Sequence, residues 1–236
     1  MKLSIIIPIY NEQDTIEKVI KTVEDTKVDN IKYKEIILVN DGSTDQTWQI
    51  IKNYSGQDNV VIINQEKNQG KGSSIHKGIN KASGDIIIIQ DADLEYNPDQ
   101  YNKLLKPIFD LDADVVYGSR FISGSEHRVL FYWHSLMNKI LTMLSNMFTN
   151  LNLTDMECGY KVFKKEIIKQ IKLKEKRFGF EPEITAKIGK LARQNKCKVY
   201  EVGISYHGRT YLEGKKINWK DGVSALKCIL RYNIFG

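Results

Sequence analysis

The segment from Ile86 to Asp93 places four consecutive isoleucines directly before Gln-Asp-Ala-Asp. An unbroken β-branched run of this kind is typical of a strand that is buried on both faces, as in a parallel sheet. Residues i and i+2 of a strand point to the same side, so Asp91 and Asp93 share one face at the strand's carboxyl end. Open α/β sheets bind ligands at that edge, and paired carboxylates suit Mg²⁺ or Mn²⁺. The alternative is an ordinary acidic loop, because a lone Asp-x-Asp is common.

The first half of the chain alternates strand and helix patterns. The strand-like runs are 3–9, 35–40, 60–64, 85–90 and 114–118. The helical patterns are 16–23, 70–82 and a segment that follows Ser43 or Thr44, either of which is a candidate cap, and runs to about Tyr54. Repeated β-α units of this length predict an α/β fold with a mostly parallel sheet and right-handed crossovers.

The second half has a different character. A broad apolar helical stripe covers 136–148, and it is followed by a predicted strand at 160–163, a helix at 183–193 and a strand at 198–202. A basic loop covers 206–216. The last segment, 219–234, has an apolar face, so it either packs on the core or lies on a membrane interface.

Composition limits the class of protein. The chain has 236 residues with 42% hydrophobic and 27% charged residues, which is ordinary for a globular protein. No signal peptide follows Met1, and the longest uncharged stretch, 140–154, is shorter than a membrane-spanning helix requires. The three cysteines have no disulfide or zinc-site spacing and indicate reduced thiols in the cytoplasm.

Charge is divided unequally along the chain. Residues 1–119 carry 13 Lys and Arg against 19 Asp and Glu, whereas residues 120–236 carry 22 against 10. The second half therefore offers a basic surface to an anionic partner such as lipid headgroups, a phosphorylated substrate or nucleic acid. The equally weighted alternative is a solvated lysine-rich surface.

Two common nucleotide-binding motifs are missing. No Gly-x-Gly-x-x-Gly follows the first strand, which argues against a dinucleotide oxidoreductase. The segment Asn68-Gln69-Gly70-Lys71-Gly72 lacks the spacing of a P-loop. It still places a lysine and backbone N–H groups where a phosphate can bind.

Five motifs in order give the chain a resemblance to family 2 glycosyltransferases of the GT-A fold. They are Ile7-Pro8-Ile9-Tyr10-Asn11-Glu12, Val39-Asn40-Asp41-Gly42-Ser43-Thr44-Asp45-Gln46-Thr47, Asn68-Gln69-Gly70-Lys71-Gly72, Asp91-Ala92-Asp93-Leu94-Glu95 and Tyr117-Gly118-Ser119-Arg120-Phe121. The second half resembles the polyprenyl-phosphate branch, typified by dolichyl-phosphate mannosyltransferase. The motifs of that branch are Thr154-Asp155 with Gly159-Tyr160-Lys161, Gly179-Phe180-Glu181-Pro182-Glu183, and Arg209 six residues before Lys215.

The resemblance implies a nucleotide-sugar site at the ends of the first strands. Its residues are Pro8, Tyr10, Glu12, Val39, Asp41, Lys71, Asp91 and Ala92. Tyr10 can stack on the base and Glu12 can accept from ribose hydroxyls. Asp41 can accept from an imide or guanine N–H, so the donor base stays open between GDP-mannose and UDP-glucose types. The alternative for Asp41 is turn and capping chemistry, which is also expected of Asp45.

The resemblance also implies metal-binding and catalytic residues. The metal ligands for Mg²⁺ or Mn²⁺ are Asp91, Asp93 and Glu95. The catalytic residues are Asp93, Arg120, Asp155, Arg209 and Lys215, and the acceptor-binding residues are Arg120, Arg128 and Glu183. Arg209 and Lys215 belong to a loop that closes over the diphosphate and neutralises it. Arg128 is equally well explained as a solvated arginine, and Asp155 and Glu183 as residues that anchor loops.

These features predict an inverting, metal-dependent glycosyltransferase that moves a hexose from a nucleoside diphosphate sugar to a polyprenyl phosphate. A phosphate acceptor is already anionic near neutral pH and needs little help from a base. The alternative is a transferase for a surface polysaccharide, whose hydroxyl acceptor needs a base, with Asp155 as the candidate. A nucleic-acid-binding or membrane-adaptor module is disfavoured, because the lysines lack interleaved aromatic residues.

We expect one GT-A domain, with a nucleotide-sugar-binding half at 1–120 and an acceptor-side half at 121–236. The expected location is cytoplasmic, peripheral at the inner face of the membrane. Self-association or a membrane-protein partner is compatible with this location.

Overall fold

The computed structural model describes residues 1–122, 128–129, 131–209 and 219–235. The strands in this part of the chain are β1 Lys2–Ile9, β2 Tyr33–Asn40, β3 Val60–Asn64, β4 Ile86–Ile89, β5 Val115–Ser119, β6 Lys161–Lys164 and β7 Val199–Gly203. The helices are α1 Ile16–Asp25, α2 Thr47–Lys52, α3 Lys71–Lys81, α4 Tyr101–Asp110, α5 Tyr132–Thr149, α6 Lys165–Ile168, α7 Phe180–Arg193 and α8 Trp219–Ile234.

The described strands form a seven-stranded sheet in the order β3-β2-β1-β4-β6-β5-β7. Strands β1, β2, β3 and β4 pair in parallel, and so do β5 and β7. Strand β6 lies between β4 and β5 and runs antiparallel to both. The predicted α/β class with a mostly parallel sheet is confirmed, and the antiparallel strand is a feature that the sequence pattern did not reveal.

The sheet is covered on both faces, which explains the isoleucine-rich strands. Leu3, Ile5 and Ile7 of β1 pack on one side with α1 and α4, whereas Ile6 packs on the other side with α3 and α7. All four isoleucines of β4 are buried. Burying an isoleucine side chain stabilises the fold by about 1.5–3 kcal/mol, so β1 and β4 form the centre of the structure. Their carboxyl ends point to the same edge of the sheet.

Helices α5, α7 and α8 pack against one another beside the sheet. Helix α7 begins at Phe180, three residues before the predicted start at Glu183. Pro182 is compatible with this earlier start, because proline is tolerated in the first turn of a helix, where its missing N–H has no partner to lose. Among the described helices, none is long and apolar enough to cross a membrane.

Candidate active site

A cavity of about 580 Å³ opens at the carboxyl ends of β1, β2 and β4. Pro8, Tyr10 and Glu12 line it from the loop after β1, and Asp41 lines it from the loop after β2. The register places these loops side by side, since Ile9 of β1 pairs with the last residue of β2. The structure therefore brings together the predicted nucleotide-side residues that follow strands.

Val39 is an exception among those residues. Its side chain is fully buried within β2 and packs in the core on the α3 side of the sheet. It does not belong to the cavity lining. A strand residue one position before the end of β2 points into the core, whereas Asp41, beyond the strand, reaches the cavity.

The Asp41 carboxylate accepts hydrogen bonds from three neighbouring groups. Its Oδ1 accepts hydrogen bonds from Gln65 Nε2 at 3.0 Å and from the Gln69 amide at 2.8 Å, and its Oδ2 accepts from the Gly70 amide at 2.7 Å. Burial raises the pKa of Asp41, although the hydrogen bonds from Gln69 and Gly70 oppose that shift. The carboxylate therefore shapes the loop before α3 as well as lining the cavity.

Gly70 has a conformation and a position that require glycine. Its φ is +101°, a left-handed value that a side chain disfavours. A Cβ atom there would lie 2.5 Å from the carbonyl oxygen of Lys176 and 2.7 Å from Arg177 Cγ. This close approach brings the segment before α7 over the start of α3, and Arg177 joins the cavity lining.

Lys71, the first residue of α3, forms ion pairs inside the cavity. Its Nζ lies 2.8 Å from Asp91 Oδ1 and 3.5 Å from Glu181 Oε1. Burial opposes the charge of Lys71, but the carboxylates of Asp91 and Glu181 outweigh it and raise the pKa of the ammonium group. Lys71 therefore stays charged and links the end of β4 to the start of α7.

The carboxylates after β4 stand close to one another. The side chain of Asp93 is 18% exposed, and burial together with the charges of Asp91 and Glu95 raises its pKa well above the ordinary value. Its Oδ1 accepts a hydrogen bond from the Glu95 amide at 3.1 Å. The Asp91-Ala92-Asp93 segment thus places concentrated negative charge in the middle of the cavity.

Arg209 supplies the opposing charge. Its guanidinium group donates to Glu12 at 3.1 and 3.2 Å and to Asp93 Oδ2 at 3.1 Å. Its backbone amide donates to Glu95 Oε1 at 2.7 Å, and Tyr206 donates its hydroxyl hydrogen to Glu95 Oε2 at 2.9 Å. One arginine from the loop after β7 therefore joins the loops after β1 and β4.

Arg120 and Asp155 form a second ion pair at the same cavity. Arg120 Nε and Nη2 donate to the two oxygens of Asp155 at 2.6 and 2.8 Å, and Asn138 of α5 donates to the same carboxylate at 2.9 Å. Burial opposes ionisation of Asp155, but Arg120 and these hydrogen bonds outweigh it and lower the pKa of Asp155. The guanidinium group also lies 5.2 Å from the centre of the Tyr206 ring.

Comparison with known proteins identifies the family of this chain. Residues 4–172 match the family model described as Glycosyl transferase family 2. The chain belongs to this family. Its class of chemistry is glycosyl transfer.

Two relatives of this family 2 glycosyltransferase carry dolichol phosphate or dolichyl phosphate in their names. The chain is 31% identical over 223 residues to a dolichol-phosphate mannosyltransferase of Pyrococcus furiosus, matching 92% of this chain but only 61% of that protein. It is 27% identical over 251 residues to a dolichyl-phosphate beta-glucosyltransferase of Trichomonas vaginalis, matching 99% of this chain and 73% of the relative.

Solved structures give the same fold. A glucosyl-3-phosphoglycerate synthase of Mycobacterium tuberculosis, crystallised with Mn²⁺, uridine diphosphate and phosphoglyceric acid, superposes with a TM-score of 0.73 at 18% identity. The alignment covers 100% of this chain and 79% of the synthase. The GT-A fold predicted from the sequence is confirmed.

Two residues predicted to bind the acceptor, Arg128 and Glu183, lie elsewhere than in the cavity lining. Arg128 donates a hydrogen bond from Nη1 to the carbonyl of Gly208 at 3.0 Å and so supports the loop that carries Arg209. Glu183 is fully buried and accepts from the amides of Lys174 and the following residue, which anchors the segment before α7. Lys215 lies outside the described residues.

Sequence analysis assigned no role to three residues that line the cavity, namely Glu157, Glu181 and Tyr206. Glu181 lies in the motif from which only Glu183 was selected, and Glu157 is two residues beyond Asp155. Neither glutamate has a local pattern that distinguishes it from a surface residue, because its position depends on contacts with distant segments.

Proposed function

We propose that this chain transfers a hexose, with inversion, from a nucleoside diphosphate sugar to a polyprenyl phosphate. The observation that supports this most directly is the order of groups along one cavity. The nucleotide-side residues after β1 and β2 come first, the carboxylates after β4 follow, and the Arg120–Asp155 pair stands beside them. A cavity of about 580 Å³ is within the usual range for small-molecule sites of about 300–1,000 Å³.

The donor diphosphate is proposed to lie at Asp91, Asp93 and Glu95 with Mg²⁺ or Mn²⁺. Within the described part of the chain, no three His, Cys, Asp or Glu side chains are grouped closely enough to hold a metal ion. The donor chemistry nevertheless fits, because carboxylate oxygens are the ligands that these ions prefer. Lys71 and Arg209 hold the carboxylates in this arrangement, so a metal ion competes with them for the same oxygens.

A bound divalent ion would neutralise the charge that develops on the leaving nucleoside diphosphate. Once Arg209 leaves the carboxylates, its guanidinium group is available to the same diphosphate, for which it has bidentate geometry. Lys71 keeps its charge in the cavity and can hold a phosphate oxygen. These cations act most strongly where burial excludes water.

A phosphate acceptor suits the state of Asp155. A sugar hydroxyl acceptor needs a general base, whereas Asp155 is held as an anion with a lowered pKa and both oxygens engaged. A polyprenyl phosphate is anionic near neutral pH and attacks without that base. The relatives named for dolichyl phosphate support the same acceptor class.

Two apolar helix faces support the proposed attachment at a membrane surface. The exposed apolar residues of α5 include Trp133, Met137, Ile140, Met143 and Met147, and those of α8 are Val223, Leu226, Leu230 and Ile234. Both series follow helical spacing, and exposed Lys139 and Arg231 flank them. Asn138 of α5 touches Asp155, so this surface adjoins the cavity that a lipid phosphate must reach.

The test is transfer of labelled sugar from GDP-mannose or UDP-glucose to polyprenyl phosphate with Mg²⁺ or Mn²⁺. We expect a lipid-extractable product that is labile to mild acid, as an anomeric phosphate ester is. Asp93→Ala should remove transfer and weaken metal-dependent nucleotide binding, while thermal unfolding shows a folded protein. Label found only in water-soluble glycan would exclude the lipid phosphate acceptor, and an active Asp93→Ala variant would exclude the metal site.

A further inference from the structure

Two glutamates form an acidic floor in the cavity. We use this name for Glu157, from the segment before β6, and Glu181, from the first turn of α7. Glu157 is half-buried with its Oε1 atom out of contact with solvent, and Glu181 is 3% exposed. Carboxylate oxygens that solvent cannot reach are usually paired or hydrogen-bonded, so two glutamates with such oxygens in one cavity require an explanation.

Within the described part of the chain, each glutamate of the floor has an oxygen without a hydrogen-bond donor. These two buried atoms are Glu157 Oε1 and Glu181 Oε2. The other oxygen of Glu181 lies 3.5 Å from Lys71 Nζ, which is a loose ion pair. An unsatisfied buried acceptor costs about 1–3 kcal/mol, and a ligand that donates a hydrogen bond removes that cost.

The floor adjoins the carboxylates that are proposed to face the diphosphate. Lys71 contacts both Asp91 and Glu181. A Cβ atom at Gly159 would lie 2.3 Å from Asp91 Oδ2, so the segment that carries Glu157 packs directly on Asp91. The nucleoside side of the cavity, at Tyr10 and Asp41, belongs to the loops after β1 and β2. A sugar attached to the far end of the diphosphate therefore reaches the floor.

The two carboxyl groups of the floor are close enough that the charge of one opposes ionisation of the other. Burial and the charge of Glu181 raise the pKa of Glu157, whereas Lys161 and Arg120 oppose this shift. Lys161 Nζ donates to the carbonyl oxygen of Cys158, and Arg120 is paired with Asp155. Neither cation forms a direct ion pair with Glu157.

We propose that Glu157 and Glu181 bind hydroxyl groups of the donor hexose and select a neutral hexose over a hexuronic acid. This inference rests on the proposed use of a nucleoside diphosphate sugar. Hexose hydroxyls donate to the unpartnered oxygens. A hexuronate carboxylate has only hydrogen-bond acceptors to present to the unpartnered glutamate oxygens, which are themselves acceptors. It also adds a negative charge beside Glu181 and Asp91, and burial of the site strengthens the repulsion.

The experiment compares affinities of the wild-type chain and of Glu157→Gln and Glu181→Gln, by calorimetry with Mn²⁺. The ligands are UDP, UDP-glucose and UDP-glucuronate, together with GDP, GDP-mannose and GDP-mannuronate. We expect the wild type to bind the hexose donor at least tenfold more tightly than the matching hexuronate. Each variant should reduce this preference at least fivefold and bind the nucleoside diphosphate without sugar within twofold of the wild type.

The control is Glu166→Gln, whose side chain is exposed on α6, and this variant should behave as the wild type in every measurement. Equal loss of affinity for nucleotide and nucleotide sugar in both variants would make the floor structural and overturn the inference. Unchanged donor affinity with reduced turnover would make Glu157 a base and also overturn it. Absence of any nucleotide binding to the wild type would overturn the proposed function itself, which is a different result from retained binding without sugar preference.

Discussion

The guanidinium group of Arg209 occupies the centre of a ring of carboxylates. It bonds to Glu12 and Asp93, and its Nε lies 3.8 Å from Glu95, too far for a hydrogen bond. That Nε has no hydrogen-bond partner in the described residues, although it is buried. The arginine therefore neutralises the carboxylates without satisfying its own donors fully, which suits a side chain that exchanges partners during a reaction cycle.

Arg209→Ala tests this exchange. Because the variant lacks the competing cation, it should bind Mn²⁺ without nucleotide about fivefold more tightly, which is ~1 kcal/mol, the scale of a partly exposed ion pair. Its turnover should fall more than its donor affinity, since Arg209 acts as charge develops on the leaving group. Free Mn²⁺ measured by electron paramagnetic resonance gives the first quantity. Arg193→Ala, at the outer end of α7, is the control, and weaker Mn²⁺ binding by Arg209→Ala would contradict the exchange.

Glu35 on β2 gives a prediction about stability and pH. Burial opposes its charge, but hydrogen bonds from Ser4, Ser83 and Lys2 outweigh it and lower the pKa of Glu35 to about 2. A lowered folded-state pKa gives stability that is complete above the ordinary value near 4.5 and is lost as pH falls towards 2. The loss for this group is at most about 3 kcal/mol.

Urea unfolding between pH 2 and 7 measures this contribution. Glu35→Gln should lower the free energy of unfolding at pH 7 and should flatten its decline between pH 5 and 2. The exposed residue Glu66 offers the matched control, Glu66→Gln. Parallel curves for the wild type and Glu35→Gln would show that Glu35 does not supply the acid dependence.

The helices show what a periodic pattern reveals and what it leaves out. The apolar stripe of α5 and the span of α8 were predicted from spacing, and the structure places helices there. Helix α2 begins at Thr47, later than the expected cap at Ser43 or Thr44, because the Asp45 side chain accepts from the Thr47 amide at 2.9 Å. Spacing identifies an apolar face, but only packing shows which of its residues remain exposed.

At the level of a single helix, we expect the exposed apolar face of α5 to bind the membrane surface. Replacing Met137, Met143 and Met147 together by serine should reduce binding to anionic vesicles more than tenfold, because each apolar side chain contributes up to about 1.5–3 kcal/mol when buried. Co-sedimentation with vesicles at low salt measures this binding. Added salt should weaken binding of the wild type, because it screens the surface charges.

The control replaces two exposed apolar residues away from this face, Tyr33 and Leu111, by serine. Those variants should bind vesicles as the wild type does. Equal vesicle binding by the triple variant would show that the apolar face of α5 serves another contact.

At the scale of the whole molecule, the fold class and most of the site followed from strand ends. Side chains such as Asp41 and Asp93 lie at the cavity because the carboxyl ends of parallel strands meet at one edge. The direction of β6 did not follow, since hydrophobic alternation is the same for parallel and antiparallel strands. Glu157 was missed for a related reason, because its place depends on a segment more than sixty residues earlier along the chain.

The position of β6 has a consequence for how the chain is made. Strand β6 is synthesised about forty residues after β5 and seventy after β4, yet it separates them in the sheet. During translation, β4 and β5 therefore do not pair with each other. Their facing edges pair only after β6, the strand between them, has been synthesised. Such long-range pairing slows folding and leaves strand edges exposed to other chains. The donor side of the cavity is completed only when the later half of the chain arrives.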